Sequence, residues 1–266
     1  MNQNPEPKAD KTSIFSAIPK LDFTEPALET NPTEFEKVVR SRRSVRVFEP
    51  GVAIPSDVMN QCLELALLAP NSSNLQTWEF HWAKSPEVKK QIVEACLSQP
   101  AARTAAEIVV VVARTGVWRR HGQQMLETMN QQNLPVPDSV KMYYNKIVPM
   151  AYSLGPLGIF GWIKKVVLFA MGLSRPTPRE PTSYSDIKVW AVKSAALACE
   201  NLMLAFRAYG FDSCPMEGLD SARVRKALNL PSDAVVVMAI SAGKRAANGV
   251  YGPRIRFPSA QFIKIH

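Results

Sequence analysis

Residues 77–83 alternate without a break: Trp78, Phe80 and Trp82 fall on one side, Glu79 and His81 on the other. That two-residue period predicts a half-buried strand. Two further stretches, 108–112 and 234–240, are apolar throughout, short and rich in β-branched residues. They predict central strands covered on both faces. Elsewhere the period is helical. Asn31-Pro32 reads as an N-cap followed by proline at the first helical position, opening a helix that carries Phe35, Val38 and Val39. Ser56 is a candidate cap for a second helix, with Val58, Cys62, Leu65 and Ala66 on one face and Pro70 as its stop. Ser85-Pro86 starts a third, with Val88, Ile92, Val93 and Cys96 in register. Asp186 is a candidate cap for a long apolar helix through Trp190, Ser194, Ala198 and Leu202 that ends at Gly210. Helices and a few buried strands sharing one layered core predict an α+β fold, a central sheet flanked by helices.

Residues 114–185 interrupt this pattern. They hold seven prolines (Pro135, Pro137, Pro149, Pro156, Pro176, Pro178 and Pro181) and read as an insertion in a domain spanning 31–266. Residues 1–30 read as a polar, loosely held arm. Inside the insertion, 147–173 is almost uniformly apolar, yet glycines and prolines break it and Lys164-Lys165 sits at its middle, which is costly for a membrane span. It reads first as a substrate-covering lid, with a membrane-surface patch and plain core packing as alternatives.

In a chain of 266 residues with 46% hydrophobic positions, there is enough apolar material for one large domain or two small ones. Net charge is +9, which suits an anionic partner: nucleic acid, a membrane surface or a phosphorylated cofactor. No basic patch interleaved with aromatics supports nucleic acid. Cys62, Cys96, Cys199 and Cys214 lie far apart, without metal spacing or a disulfide framework, so reduced buried thiols and a cytoplasmic protein are expected. The first residues have no apolar core of signal-peptide length.

No nucleophile constellation is visible. His81, His121 and His266 lack metal-ligand spacing, and GxSxG, GxGxxG and P-loop patterns do not occur. An enzyme so equipped must use scattered acids and bases or take its chemistry from a cofactor, with no catalytic side chain of its own. Four segments could hold one. Arg42, Arg43, Ser44 and Arg46 can converge on a phosphate, although a solvated basic helix end would look the same. Arg254 and Arg256, separated by one apolar residue, fall on one side of an extended segment, as would a charged edge strand. Residues 69–80, APNSSNLQTWEF, form an amide-rich turn before the aromatic strand. Residues 210–220, GFDSCPMEGLD, read as a tight turn at Pro215 and Gly218, with Asp220 capping the next helix.

In this order the four segments resemble the nitroreductase family of FMN proteins. RRSVRVFEP is similar to its arginine-serine motif, and APNSSNLQTWEF to its AP-S-S-x-N-x-Q-P-W-x-F stretch, with Asn71 and Thr77 as departures. GFDSCPMEGLD is similar to its P-[IM]-E/G-G-[FL] turn, the apolar strand ending in Gly243 is as the family has it, and PRIRFP matches its basic C-terminal motif. The resemblance covers residues 34–113 and 186–258. It implies an intertwined α+β homodimer binding FMN at the interface, with NAD(P)H as hydride donor to N5 and a nitroaromatic, quinone or other apolar acceptor. Carried over by position, Arg42, Ser44 and Arg46, with Arg43 close behind, would hold the phosphate and the pyrimidine side, and Arg254 and Arg256 would complete the cradle. Pro70, Asn71, Ser72 and Asn74 would reach over from the partner subunit, Pro215, Met216, Glu217 and Gly218 would line the ring near N5, and residues 261–265 would add a strand to the neighbour. Asn71 stands where the family has serine. The family's deiodinating subgroup places a Glu and a Tyr one helical turn apart in its lid, whereas here Gln131 follows Glu127, which disfavours that activity. The reading from another class is a membrane-surface binding protein in which FMN is structural or absent, motivated by residues 147–173 and the +9 charge.

Overall fold

The computed structural model describes residues 23–266, so most of the arm expected at 1–30 lies outside the described residues. In chain order the elements are α1 (Pro32–Ser41), α2 (Ser56–Leu67), β1 (Trp78–Trp82), α3 (Pro86–Ala95), α4 (Pro100–Arg103), β2 (Glu107–Arg114), α5 (Trp118–Gln131), α6 (Asp138–Met142), α7 (Val148–Tyr152), α8 (Ile159–Met171), α9 (Tyr184–Ala208), β3 (Asp212–Met216), α10 (Ser221–Ala227) and β4 (Ala234–Gly243). They form two compact units, one of residues 31–70, 78–114 and 191–266, the other built on 71–77 and 115–190.

The first unit holds a four-stranded sheet in the order β1-β2-β4-β3, antiparallel throughout. The two unbroken apolar runs are its central strands. Ile108, Val110 and Val112 join one core cluster, while Val109 and Val111, on the opposite face, are equally inaccessible, so β2 is covered on both sides. A one-residue register shift between Val111 and Val112 against β4 marks a bulge. The alternating segment is an edge strand, paired from Trp78↔Ala113 to Trp82↔Val109. Ile92 and Ala95 of α3, with Cys96 at its C-cap, pack with Val224 of α10 in the same cluster. Caps follow the sequence at Asn31, which accepts from the Thr33 N–H, and at Ser85, which accepts from the Val88 N–H.

Two other caps differ from expectation. Ser56 is the first residue of α2 and makes no capping hydrogen bond; Pro55 stands at the N-cap. In α9 the cap is Ser183, whose Oγ accepts from the Asp186 N–H at 3.1 Å, while Asp186 Oδ2 reaches back to the N–H groups of Ser183 and Thr182. This is a reciprocal capping box, and Asp186 is its third helical residue. Gly210, at φ +83°, closes the other end, with the Phe211 N–H donating to the Phe206 carbonyl.

The second unit is helical. Leu75, Val148 and Tyr152 form its core, with Trp118, Tyr143, Tyr144 and Trp190 against them. Between 138–152 and 156–171 the chain bends by 69°, where Pro156 and the left-handed Gly155 and Gly158 interrupt the apolar run. Gly161 lets α8 approach the Thr182 carbonyl so closely that no Cβ would fit.

A cleft of five arginines

At the end of α1 the backbone turns extended at Arg42, φ −62° and ψ 129°. The following segment is pinned from both sides. The Val45 N–H donates to the Ser213 carbonyl at 3.1 Å and the Arg46 N–H to the Gly249 carbonyl at 2.6 Å. Val45 and Phe48 are buried in the core and hold the segment in place. The Phe48 ring lies on Gly243, where an added Cβ would come within 3.0 Å of it, which gives the glycine ending β4 a steric reason.

This anchoring shapes a cleft of about 330 Å³ lined by Arg42, Arg43, Ser44 and Arg46 and by residues 250–256, including Arg254 and Arg256. Five guanidinium groups line it and no carboxylate does. The two arginine segments, distant in sequence, are joined directly. Arg254 donates to the carbonyls of Arg40 and Arg42 at 2.9 and 2.5 Å, and Arg43 donates to the Gly252 carbonyl at 2.6 Å. Desolvation, then repulsion from Arg256, Arg43, Arg42 and Arg40, lowers the proton affinity of Arg254 below that of a free guanidinium. Arg42 carries the sharper signal: its Nη1 is buried and has no hydrogen-bond partner in the protein, and the same holds for the Ser213 hydroxyl. Its ionic neighbour, Glu200, is 3.9 Å from Nε and half exposed. Cations gathered against their mutual repulsion, one with an idle buried donor, make a cleft whose chemistry suits an anion.

Beside the cleft, Asp212 is buried and gripped by two arginines. Its Oδ2 accepts from Arg207 at 3.2 Å and its carboxylate takes a bidentate grip from Arg245, 2.5 Å at Oδ1. Arg245 also donates to the Ser41 carbonyl, tying α1 to β3. Sequence reasoning passed over this clamp and the idle Ser213 hydroxyl. The signals available were Lys244-Arg245 directly after a central strand and an aspartate inside an apolar stretch.

Residues 212–216 form an edge strand, correcting the tight turn expected at Pro215. Proline is tolerated there because an edge strand can spare one donor. The alternation sends Cys214 and Met216 into the core, so Met216 can offer a ligand little beyond its backbone, while Pro215 is half exposed on the other face. Glu217 and Gly218 are exposed beyond the strand; Gln99 donates to the Gly218 carbonyl at 3.0 Å, and Asp220 caps α10 as expected.

Pro70 is exposed, closing the tail of α2, while Asn71, Ser72 and Asn74 belong to the helical unit. There the Asn71 side-chain Oδ1 accepts from the Gln76 N–H at 2.7 Å and its Nδ2 donates to Asn74 Oδ1. The departure at Asn71 thus serves the loop itself. Ser73, Asn74 and Gln76 adopt positive φ. The Ser73 hydroxyl lies 2.7 Å from the Tyr143 hydroxyl, and the Tyr144 hydroxyl donates to the Ser73 carbonyl.

The sequence model of the Nitroreductase family matches residues 39–244. The chain belongs to the nitroreductase family. It is 27% identical to Protein DrgA of Synechocystis sp. over 208 residues, 78% of its own chain and 82% of that protein. It is 25% identical to an NADH dehydrogenase of Thermus thermophilus over 222 residues, 84% and 91% of the two chains. Its fold superposes with a TM-score of 0.66 on a chain of Exiguobacterium sibiricum crystallised in complex with FMN, at 25% identity, over 92% of this chain and all of that one. The matched stretch opens near the end of α1 and closes just after β4. Arg254 and Arg256 fall beyond it, so their place in the cleft rests on geometry.

Proposed function

We propose that this protein binds FMN with its phosphate in the five-arginine cleft and acts as an NAD(P)H-dependent oxidoreductase on nitroaromatic, quinone or other apolar acceptors. The observation that carries this reading is the buried, unpartnered Nη1 of Arg42 among like charges. A phosphate offers it an acceptor and relieves the repulsion around Arg254. FMN, when bound, supplies a two-electron relay between the nicotinamide and the acceptor. The chain's own residues bind and orient. Arg42, Arg43, Ser44, Arg46, Arg254 and Arg256 hold the anion. The end of β3 and the two residues after it, Pro215 to Gly218, offer backbone to the ring, with Glu217 at its open side. Pro70, Asn71, Ser72 and Asn74 of a second copy complete the pocket.

That second copy is supported by apolar surface. Phe35 is 64% exposed on a helix with no buried residue, and Ile255, Phe257, Phe262, Ile263 and Ile265 of the C-terminal segment stand in solvent, the last 94% exposed. A homodimer covering these side chains fits them better than an isolated chain. The four thiols, all buried and unpaired, accord with a reducing, cytoplasmic setting.

Purified protein is expected to be yellow and to lose its flavin absorbance anaerobically on addition of NADH or NADPH, and to regain it with a quinone or a nitroaromatic. Colourless protein that takes up no added FMN would overturn the reading. Flavin that is bound but never bleached would leave the binding site standing and remove the enzyme.

A further inference from the structure

Helix α8 is turned inside out. Its inward stripe is Gly161, Lys164, Leu168 and Met171, and the Lys164 ammonium is spent internally, donating to the Ala151 carbonyl at 2.6 Å. Desolvation lowers that lysine's hold on its proton. The outward face carries Phe160, Trp162, Ile163, Val166, Val167 and Phe169, each between 48% and 70% exposed. A continuous apolar face of this kind marks an interaction surface.

Charge selects what covers it. From Tyr143 to Arg179 the chain carries Lys146, Lys164, Lys165, Arg175 and Arg179 and not one Asp or Glu. Lys165 emerges among the exposed apolar side chains, and Arg175 follows just past the helix end. Cations bordering an apolar strip complement anionic headgroups above acyl chains. A second copy of the same face would set like charges against one another. Length selects the geometry. Thirteen residues at about 1.5 Å each give roughly 20 Å, short of a hydrocarbon core of about 30 Å. The 69° bend before α8 keeps the preceding helices from extending it. Trp162, 70% exposed, suits the headgroup boundary.

We propose that α8 lies in the plane of an anionic lipid surface, its apolar face among the upper acyl chains and the exposed Lys165 and Arg175 at the headgroups, docking the protein on a membrane without spanning it. This goes beyond the flavin reading and does not depend on it.

The test is flotation of the full-length protein, as purified, with vesicles of phosphatidylcholine alone and of phosphatidylcholine mixed with phosphatidylglycerol, at low and high salt. Binding is expected to be at least about tenfold stronger to the anionic vesicles and to weaken with salt. The double variant Trp162→Glu, Val166→Glu should lose about tenfold or more of that binding while keeping its melting temperature and flavin content, and Lys165→Glu should reduce the preference for anionic lipid. Protein that stays unbound with both vesicle types overturns the proposal, as does a double variant that floats like the parent. Light scattering that shows the double variant breaking a larger assembly into a smaller one would assign the face to a second copy, also overturning it. Colourless protein that still floats would instead count against the flavin reading alone.

Discussion

Replacing Arg42 by methionine should strengthen the flavin-free protein and weaken its hold on FMN. The guanidinium leaves a buried N–H without a partner, a state that costs about 1–3 kcal/mol. Its ion pair with Glu200, at 3.9 Å and with a half-exposed partner, returns less than about 1 kcal/mol. Methionine keeps much of the apolar stem and removes the idle donor and one of five crowded charges, so a net gain of about 1 kcal/mol is expected in urea unfolding of flavin-stripped protein. The same change deletes a charge-assisted hydrogen bond to phosphate worth about 1.5–3 kcal/mol. At about 1.4 kcal/mol per decade, the FMN dissociation constant should rise roughly 10- to 150-fold, measured by quenching of flavin fluorescence on binding. A flavin-free variant less stable than its parent, or an unchanged FMN affinity, would refute the assignment of Arg42 to the anion.

Asp212→Ala strands two arginines around a buried position and should cost about 2–4 kcal/mol in urea unfolding, softened because Arg207 and Arg245 are 27% and 33% exposed. Asp186 has a carboxyl held below its ordinary value, first by the Thr182 N–H; its stabilisation is complete above pH 3.8 and is lost as pH falls through the lower folded value. Asp186→Asn should therefore flatten the acid limb of the stability profile below about pH 4, and an unchanged limb would exclude the group. Gly243→Ala drives a methyl into the Phe48 ring and should lower stability by about 1–3 kcal/mol, read as a drop in melting temperature. Burial pushes the thiols of Cys62 and Cys199 up to about 12, so native protein at pH 8 should react with a disulfide reagent only as fast as it unfolds.

The sheet's centre was legible because an unbroken valine run admits few other structures: Ile108 to Val112 must hide both faces. The cleft was legible as two clusters of like charge, each ambiguous by itself. What joins them, the Arg254 donors on the carbonyls of Arg40 and Arg42, is a backbone relation that no residue type announces. β3 was hidden by Pro215, which reads as a turn when the strand's edge position is unknown. The cap of α9 went to Asp186 rather than Ser183 because both are good capping residues three apart, and only the direction of the hydrogen bonds tells them apart. The Asp212 clamp was missed since its two partners, Arg207 and Arg245, come from separate stretches on either side of it.

The arginine cleft also sets an order of events during synthesis. Its two halves lie more than 200 residues apart, the separation of Arg254 from Arg42 being 212. A nascent chain that has folded its sheet but not yet released residue 254 has half a cradle, with Arg42, Arg43 and Arg46 and no opposing wall. On the proposed reading, flavin capture would wait until residue 254 has been made and has docked against the carbonyls of Arg40 and Arg42.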